Sequence, residues 1–298
     1  MALASPSRLT KPLEGGVEGA TVAFRPLVCA NMKAPEELFA MTGGTVKALR
    51  SFRSSREGWL DVPVPAFLVE HPGVGNILID TGYHASVAVD PKQNLGGFFG
   101  RLYQVEMEPE QAIVAQLRKL GIEARDIKVV IMTHLHLDHA SAISDFTDAT
   151  YVLGQGEWEA FTEPRPVMKG YIRKHAEHAV DYREVMYDRP SIDSYSTFGR
   201  SYDLFGDGSV RLVYTPGHTA GHQSVILRLK DREVLIAGDA VYLLDTLEHE
   251  RRGLFLADEH NWRRSLREIQ LYRRENPDAL VIPSHDGVLF SQLEERYA

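Results

Sequence analysis

Residues 129–142, VVIMTHLHLDHASA, pass from an unbroken apolar run into three histidines and an aspartate within six positions. The run Ile127–Met132 reads as a buried strand, because Lys128 alone interrupts it and β-branched residues dominate. A helix is expected before it over 109–121, where Ile113, Val114, Leu117 and Leu120 recur at helical spacing and Gly121 stops the pattern. While the chain stays extended, His134 and His136 point to one side, and the turn that follows swings Asp138 and His139 towards them. Imidazole and carboxylate together suit a borderline divalent cation such as zinc, so the motif predicts metal at a strand end.

Working outward, other strands end in the same way. A hairpin is expected over 64–81, with strands Pro65–Glu70 and Asn76–Asp80 around a turn at 71–75. Further strands are expected at 149–153, 209–215, 223–229, 233–238 and 280–283, and helices over 155–180, interrupted at Pro164 and Pro166, and over 260–275. Blocks of strands separated by helices favour two sheets packed between helices over one doubly wound sheet. His218 lies in PGHTAGHQS (216–224), Asp239 in AGDA (237–240) and His285 in PSHD (283–286), each just after an apolar strand. Donors carried this way gather at one rim of a rigid scaffold.

The bulk composition narrows the alternatives. In 298 residues with 44% apolar content and a net charge of −8, no Lys/Arg run offers a surface to nucleic acid or an anionic membrane. The single cysteine, Cys29, excludes an intramolecular disulfide and fits a reducing compartment, where it reads as a small buried residue. No window reaches the length of a membrane span, and the N-terminus lacks an apolar leader segment, so a cytoplasmic protein is expected. Residues 1–20 are read as a flexible segment and 21–298 as one domain with insertions near 31–58 and 84–107. Such connections serve as lids or binding walls, or else as surface excursions or an oligomer contact that leaves a homodimer open.

The combination HxHxDH, TPGHTxGH, GD and a late SH, with NILIDTG at 76–82, resembles the metallo-β-lactamase superfamily. That resemblance implies an α/β fold, a four-layer αββα sandwich, and a binuclear site. His134, His136 and His218 would hold one ion, Asp138, His139 and His285 the other, and Asp239 would bridge them. Zinc is the first expectation for the two divalent ions, with iron, cobalt or manganese suited to the same donors. The implied chemistry is attack by a metal-bridging hydroxide on a carbonyl polarised by the ions. Consistent with this, neither a GxSxG elbow nor an activated cysteine is present.

Asp239 stands where true zinc β-lactamases carry a thiolate, which argues against penicillin hydrolysis. The segment LVYTPGHTAGHQSVIL (212–227), with its Gln-Ser pair, and Tyr242 three residues after Asp239 resemble the quorum-quenching N-acyl-homoserine lactone lactonases. By that resemblance the Tyr242 hydroxyl contacts a lactone or amide carbonyl of a small-molecule lactone, and Asp138 passes a proton to the leaving alkoxide. The alternatives are a glyoxalase II-like thioester hydrolase and a mononuclear-iron persulfide dioxygenase that uses only His134, His218 and Asp239. Asp80 is read either as an acceptor that orients a ligating imidazole or as a cap of its own turn. His222 is read as structural. Phe98, Phe99, Leu102 and Tyr103, or Met32, Leu38, Phe39 and Met41, are candidates for an apolar acyl channel or for core. His71, His84, His175, His178, His249 and His260 carry no assigned role.

Overall fold

A computed structural model describes residues 5–53, 55–177, 181–190 and 192–298. His178 and the end of the expected 155–180 helical region lie outside them. The first sheet contains β1 (Ser7–Leu9), β2 (Ala23–Pro35), β3 (Trp59–His71), β4 (Gly75–Ile79), β5 (Gln104–Glu106), β6 (Ile127–Ile131), β7 (Thr150–Gly154) and β8 (Asp181–Val185). Their order across the sheet is β1-β8-β7-β6-β4-β3-β2-β5. The second contains β9 (Asp193–Tyr195), β10 (Phe198–Asp203), β11 (Val210–Tyr214), β12 (Gln223–Arg228), β13 (Glu233–Gly238) and β14 (Leu280–Pro283), ordered β14-β13-β12-β11-β10-β9.

Side-chain alternation explains the layers. In β4 and β6, Ile77, Ile79, Val129 and Ile131 face Leu212, Val225 and Ile236 of the second sheet, while Leu78 and Val130 point outward beneath Ile113 and Leu117 of the helix Ile113–Lys119. On the far side, Val213, Ile226 and Leu235 are covered by Trp262, Leu266 and Ile269 of the helix Glu259–Glu275. Helix, sheet, sheet and helix make four layers, as the αββα expectation required. Strands covered on both faces read as continuous apolar runs, which is why β6 was legible. Each fully buried Val, Ile or Leu contributes about 1.5–3 kcal/mol relative to exposure, so these strands form the rigid part of the molecule.

Three expectations need correction. The N-terminal segment, read as flexible over 1–20, is tied down from Ser7 onward. Ser7–Leu9 pair in parallel with Arg183–Val185, Leu13 donates to the Leu204 carbonyl at 2.8 Å and Val17 to the Asp207 carboxylate at 2.8 Å. The exposed edge of β8 supplies backbone partners that no local pattern in 1–20 announces. The connection read over 31–58 is a strand up to Pro35, because β3 extends back to Trp59 and pairs with β2 all along, from Ala23 opposite Glu70 to Pro35 opposite Trp59. Pro26, Pro63 and Pro65 punctuate these strands and conceal them in the sequence. The connection read over 84–107 contains the helices Ser86–Val89 and Pro91–Leu102 and ends in β5, which pairs with Asn31–Lys33. No helix among the described residues is long and apolar enough to cross a membrane.

Candidate metal centre

The parallel pairs β4–β6 and β13–β14 place their C-terminal ends on one rim. Asp80 follows β4, His134 to His139 follow β6, Asp239 follows β13 and His285 follows β14. His218 reaches the same rim from the loop joining β11 and β12, whose antiparallel pairing turns the chain there. Asp138 and His139 sit on the one-turn helix Leu137–Ala140 that ends the histidine motif.

All seven donors foreseen in the sequence come together, in two groups. His134, His136, His218 and Asp239 form one, and Asp138, His139 and His285 the other, with donor atoms in each group within 4.8 Å of one another. His218 Nε2 lies 3.2 Å from His134 Nε2 and 2.8 Å from His136 Nδ1. Asp239 stands between the groups. Its Oδ2 is 3.2 Å from His218 Nε2 and 3.6 Å from His134 Nε2, while its Oδ1 is 3.2 Å from His139 Nε2 and 3.4 Å from His285 Nε2.

The outward-facing ring nitrogens set the tautomers. His139 Nδ1 donates to Asp80 Oδ2 at 2.8 Å, His285 Nδ1 to the Pro63 carbonyl at 2.9 Å and His218 Nδ1 to the Phe255 carbonyl at 3.2 Å. His134 Nδ1 lies 3.1 Å from Thr133 Oγ1, whose own proton goes to Asp80 Oδ2 at 2.7 Å. His136 donates to the Lys169 carbonyl. With the outer nitrogens protonated, the inner ones present lone pairs to the space between them. Asp80 is thus an acceptor that orients His139, and it also holds Thr133; its φ of +57° puts it in the left-handed region.

These groups fit divalent ions. Within the cluster, His139 Nε2 and Asp239 Oδ1 are buried without a hydrogen-bond partner, a costly arrangement unless a cation completes it. Burial holds His134 and His218 well below the usual histidine range and His136 at about 4, so these three rings are neutral donors. Burial also works against charge on His139 and His285, yet the Asp239 carboxylate outweighs it and holds both above the usual range, His139 well above. Asp239 is held well below the carboxylate range, because His139, His285 and His218 outweigh its burial. The field at Asp239 calls for positive charge.

A pocket opens onto this cluster, walled by Met32, Leu38, Phe39, Phe99, Tyr103 and Phe255 around His136, Asp138 and Asp239. Tyr242 lines it as well, with its hydroxyl 3.1 Å from His218 Nδ1 and its ring edge-on to Phe39. Of the two apolar sets read as a channel, Met32, Leu38, Phe39, Phe99 and Tyr103 reach the pocket wall, whereas Phe98 is 61% exposed on the outer side of its helix. His222 lies outside both donor groups and is held at Nδ1 by Thr215. His71 binds Asp207 and Ser209 far along the chain from the cluster.

Two clamps were not foreseen. Glu157, fully buried, accepts from Leu135 N at 2.8 Å, Thr219 Oγ1 at 2.6 Å and Gly221 N at 3.2 Å, and also from Tyr171. It therefore joins the β6 loop to the His218 loop. Burial pushes its carboxyl up, against four donors that favour the ionised form. Gly221 passes so close that a Cβ would sit 2.3 Å from Glu157 N. Gln223 does the same across the sheets: its backbone N–H donates to the Thr133 carbonyl at 3.0 Å and its Nε2 to the Met132 carbonyl at 2.9 Å. Only the Gln-Ser pair after the second histidine hinted at this, and nothing local marks Glu157 as buried.

Residues 59–285 match the metallo-beta-lactamase superfamily. The N-acyl homoserine lactonase AttM of Rhizobium radiobacter is 35% identical over 257 residues, which cover 84% of this chain and 92% of that protein. Among solved structures, an N-acyl homoserine lactone hydrolase with the product N-hexanoyl-L-homoserine bound at its catalytic metal centre superposes with a TM-score of 0.73 at 21% identity, covering 95% of this chain and 98% of that one. AidC, a dizinc quorum-quenching lactonase, superposes with a TM-score of 0.59 at 15% identity, covering 93% and 90%. At these identities the structural neighbours establish the fold alone.

Proposed function

This chain belongs to the metallo-beta-lactamase superfamily, and from that premise we propose that it is a binuclear metal-dependent lactonase that opens N-acyl-homoserine lactones, a quorum-quenching activity. The observation that carries the reading is the set of seven donors gathered at one apolar-walled pocket that Tyr242 also lines, in a chain whose relatives are N-acyl homoserine lactonases. His134, His136 and His218 would hold one ion and Asp138, His139 and His285 the other, with Asp239 placed between the two groups to serve both. Zinc suits this donor set and is the metal named for AidC. When bound, the ions supply a water that ionises near neutral pH and polarise the carbonyl under attack.

The remaining chemistry falls to the chain. Tyr242 donates to the ring carbonyl oxygen, where negative charge develops as the water oxygen bonds to the carbonyl carbon. The acyl carbon–oxygen bond of the ring then breaks, and Asp138, whose side chain is 13% exposed and faces the pocket, passes to the leaving alkoxide the proton it took from the attacking water. The apolar wall excludes bulk water and strengthens each of these contacts. The product is the ring-opened N-acyl-homoserine.

The test is a pH-stat assay of zinc-loaded protein against N-hexanoyl-homoserine lactone beside a glutathione thioester, with metal analysis and oxygen uptake in parallel. Proton release with the lactone and two ions per chain are expected. Release with the thioester only, or oxygen uptake on a single iron, would overturn the assignment.

A further inference from the structure

Tyr103 enters the sequence reading only as apolar lining, but its hydroxyl is the less expected feature. It is the first residue beyond the helix Pro91–Leu102, half-buried, with its ring stacked on Phe99 at 5.6 Å and 13° between planes. The stack fixes the ring against the pocket wall that it shares with Asp138, Asp239, Tyr242 and His285. Burial, then Asp138 and Asp239, raise its pKa far above that of an ordinary phenol. The phenol thus shares its pocket with two carboxylates and Tyr242, and it stays protonated.

Two of the neighbouring phenols have spent their protons, Tyr83 on Met32 Sδ at 3.6 Å and Tyr171 on Glu157, whereas Tyr242, whose oxygen lies 3.1 Å from the protonated His218 Nδ1, keeps its own for the ring carbonyl. Tyr103 Oη has no hydrogen-bond partner among the described residues. A donor without a partner in the wall of a site is a recognition element, because a ligand without the matching acceptor leaves it unpaired. An N-acyl-amino-lactone carries two carbonyls, that of the ring ester and that of the amide, separated by one carbon and one nitrogen. Tyr242 stands on the His218 side and takes the first.

We propose that Tyr103 is a specificity-determining residue, whose hydroxyl donates to the exocyclic amide carbonyl of the substrate and so selects N-acyl-amino-lactones over lactones that lack the amide. This rests on the lactonase reading above and divides between two phenols the carbonyl contacts expected of Tyr242 alone.

The experiment compares wild type and Tyr103→Phe on N-hexanoyl-homoserine lactone and on a γ-alkyl-γ-lactone of similar length, with KM and kcat resolved and bound metal measured. Phenylalanine keeps the stack on Phe99, so melting temperature and metal content should match wild type. The ratio of kcat/KM for the amide-bearing over the plain lactone should fall about tenfold or more, mainly through KM, the loss expected for one buried hydrogen bond. An unchanged ratio, whether both substrates suffer equally or neither does, overturns the role of Tyr103 and leaves the lactonase reading standing. Failure of the wild type to open either lactone removes both.

Discussion

The two donor groups stand side by side, yet they are backed by different chemistry. Behind His134, His136 and His218 lie a threonine hydroxyl and the carbonyls of Lys169 and Phe255, all uncharged, and burial keeps the three rings neutral. Behind His139 lies the Asp80 carboxylate, and His139 and His285 are both pushed towards the charged form by the carboxylates they face. The first group is enclosed, every member buried, and clamped from behind by Glu157. The second includes Asp138, the one partly exposed donor, which faces the pocket. On the proposed binuclear reading, one half of the site would hold an ion by geometry and the other by charge.

This contrast can be broken most completely at Asp239, which serves both halves. Asp239→Ala should drop bound metal from two ions per chain to less than one by elemental analysis. Activity should fall on the order of a thousandfold or more, because water away from the ions ionises only far above neutral pH. Retention of both ions would show that the groups bind independently of a bridge.

Asp80→Ala should strike the charged half. It removes the acceptor for His139 Nδ1 and leaves Thr133 N and Oγ1 without theirs. An outer partner of this kind is worth roughly 10–100-fold in metal affinity, and the unpaired buried groups cost about 1–3 kcal/mol each. Competition with a chelator should then strip one ion from the variant well before the other, and thermal melting should shift downward.

The smallest effect is expected from Glu157→Gln, which keeps the shape but sets an amide N–H2 against N–H and O–H donors. Affinity of the enclosed half should weaken by about tenfold while the other ion is retained. With cobalt as the probe, the visible spectrum of the first group should be lost at lower chelator concentration than that of the second. Simultaneous loss of both signals would mean that Glu157 supports the whole rim and not one half.

Legibility followed the range of the forces involved. β6 could be read because, beyond the exposed Lys128 near its start, its residues are apolar and buried, and the helix Glu259–Glu275 because its apolar stripe recurs every three to four positions before Asn276 and Pro277. β2 could not, because Arg25, Pro26, Asn31 and Lys33 break any local pattern, and its strand state comes from thirteen residues of β3 lying alongside. Likewise Ser7–Leu9 become a strand only because an edge of β8 is there to pair with.

The sequence by itself determined which side chains are proposed to carry the chemistry: five histidines, two carboxylates and a tyrosine, each placed just beyond an apolar run, a local arrangement that survives any detail of packing. Tertiary structure decided what those side chains can do together. Asp239 has one oxygen towards each donor group, Glu157 and Gln223 lock loops more than sixty residues apart, and Tyr103 arrives with a proton to give. Such relations depend on which chain segments the two sheets bring to the same rim, and no spacing along the chain encodes that distance.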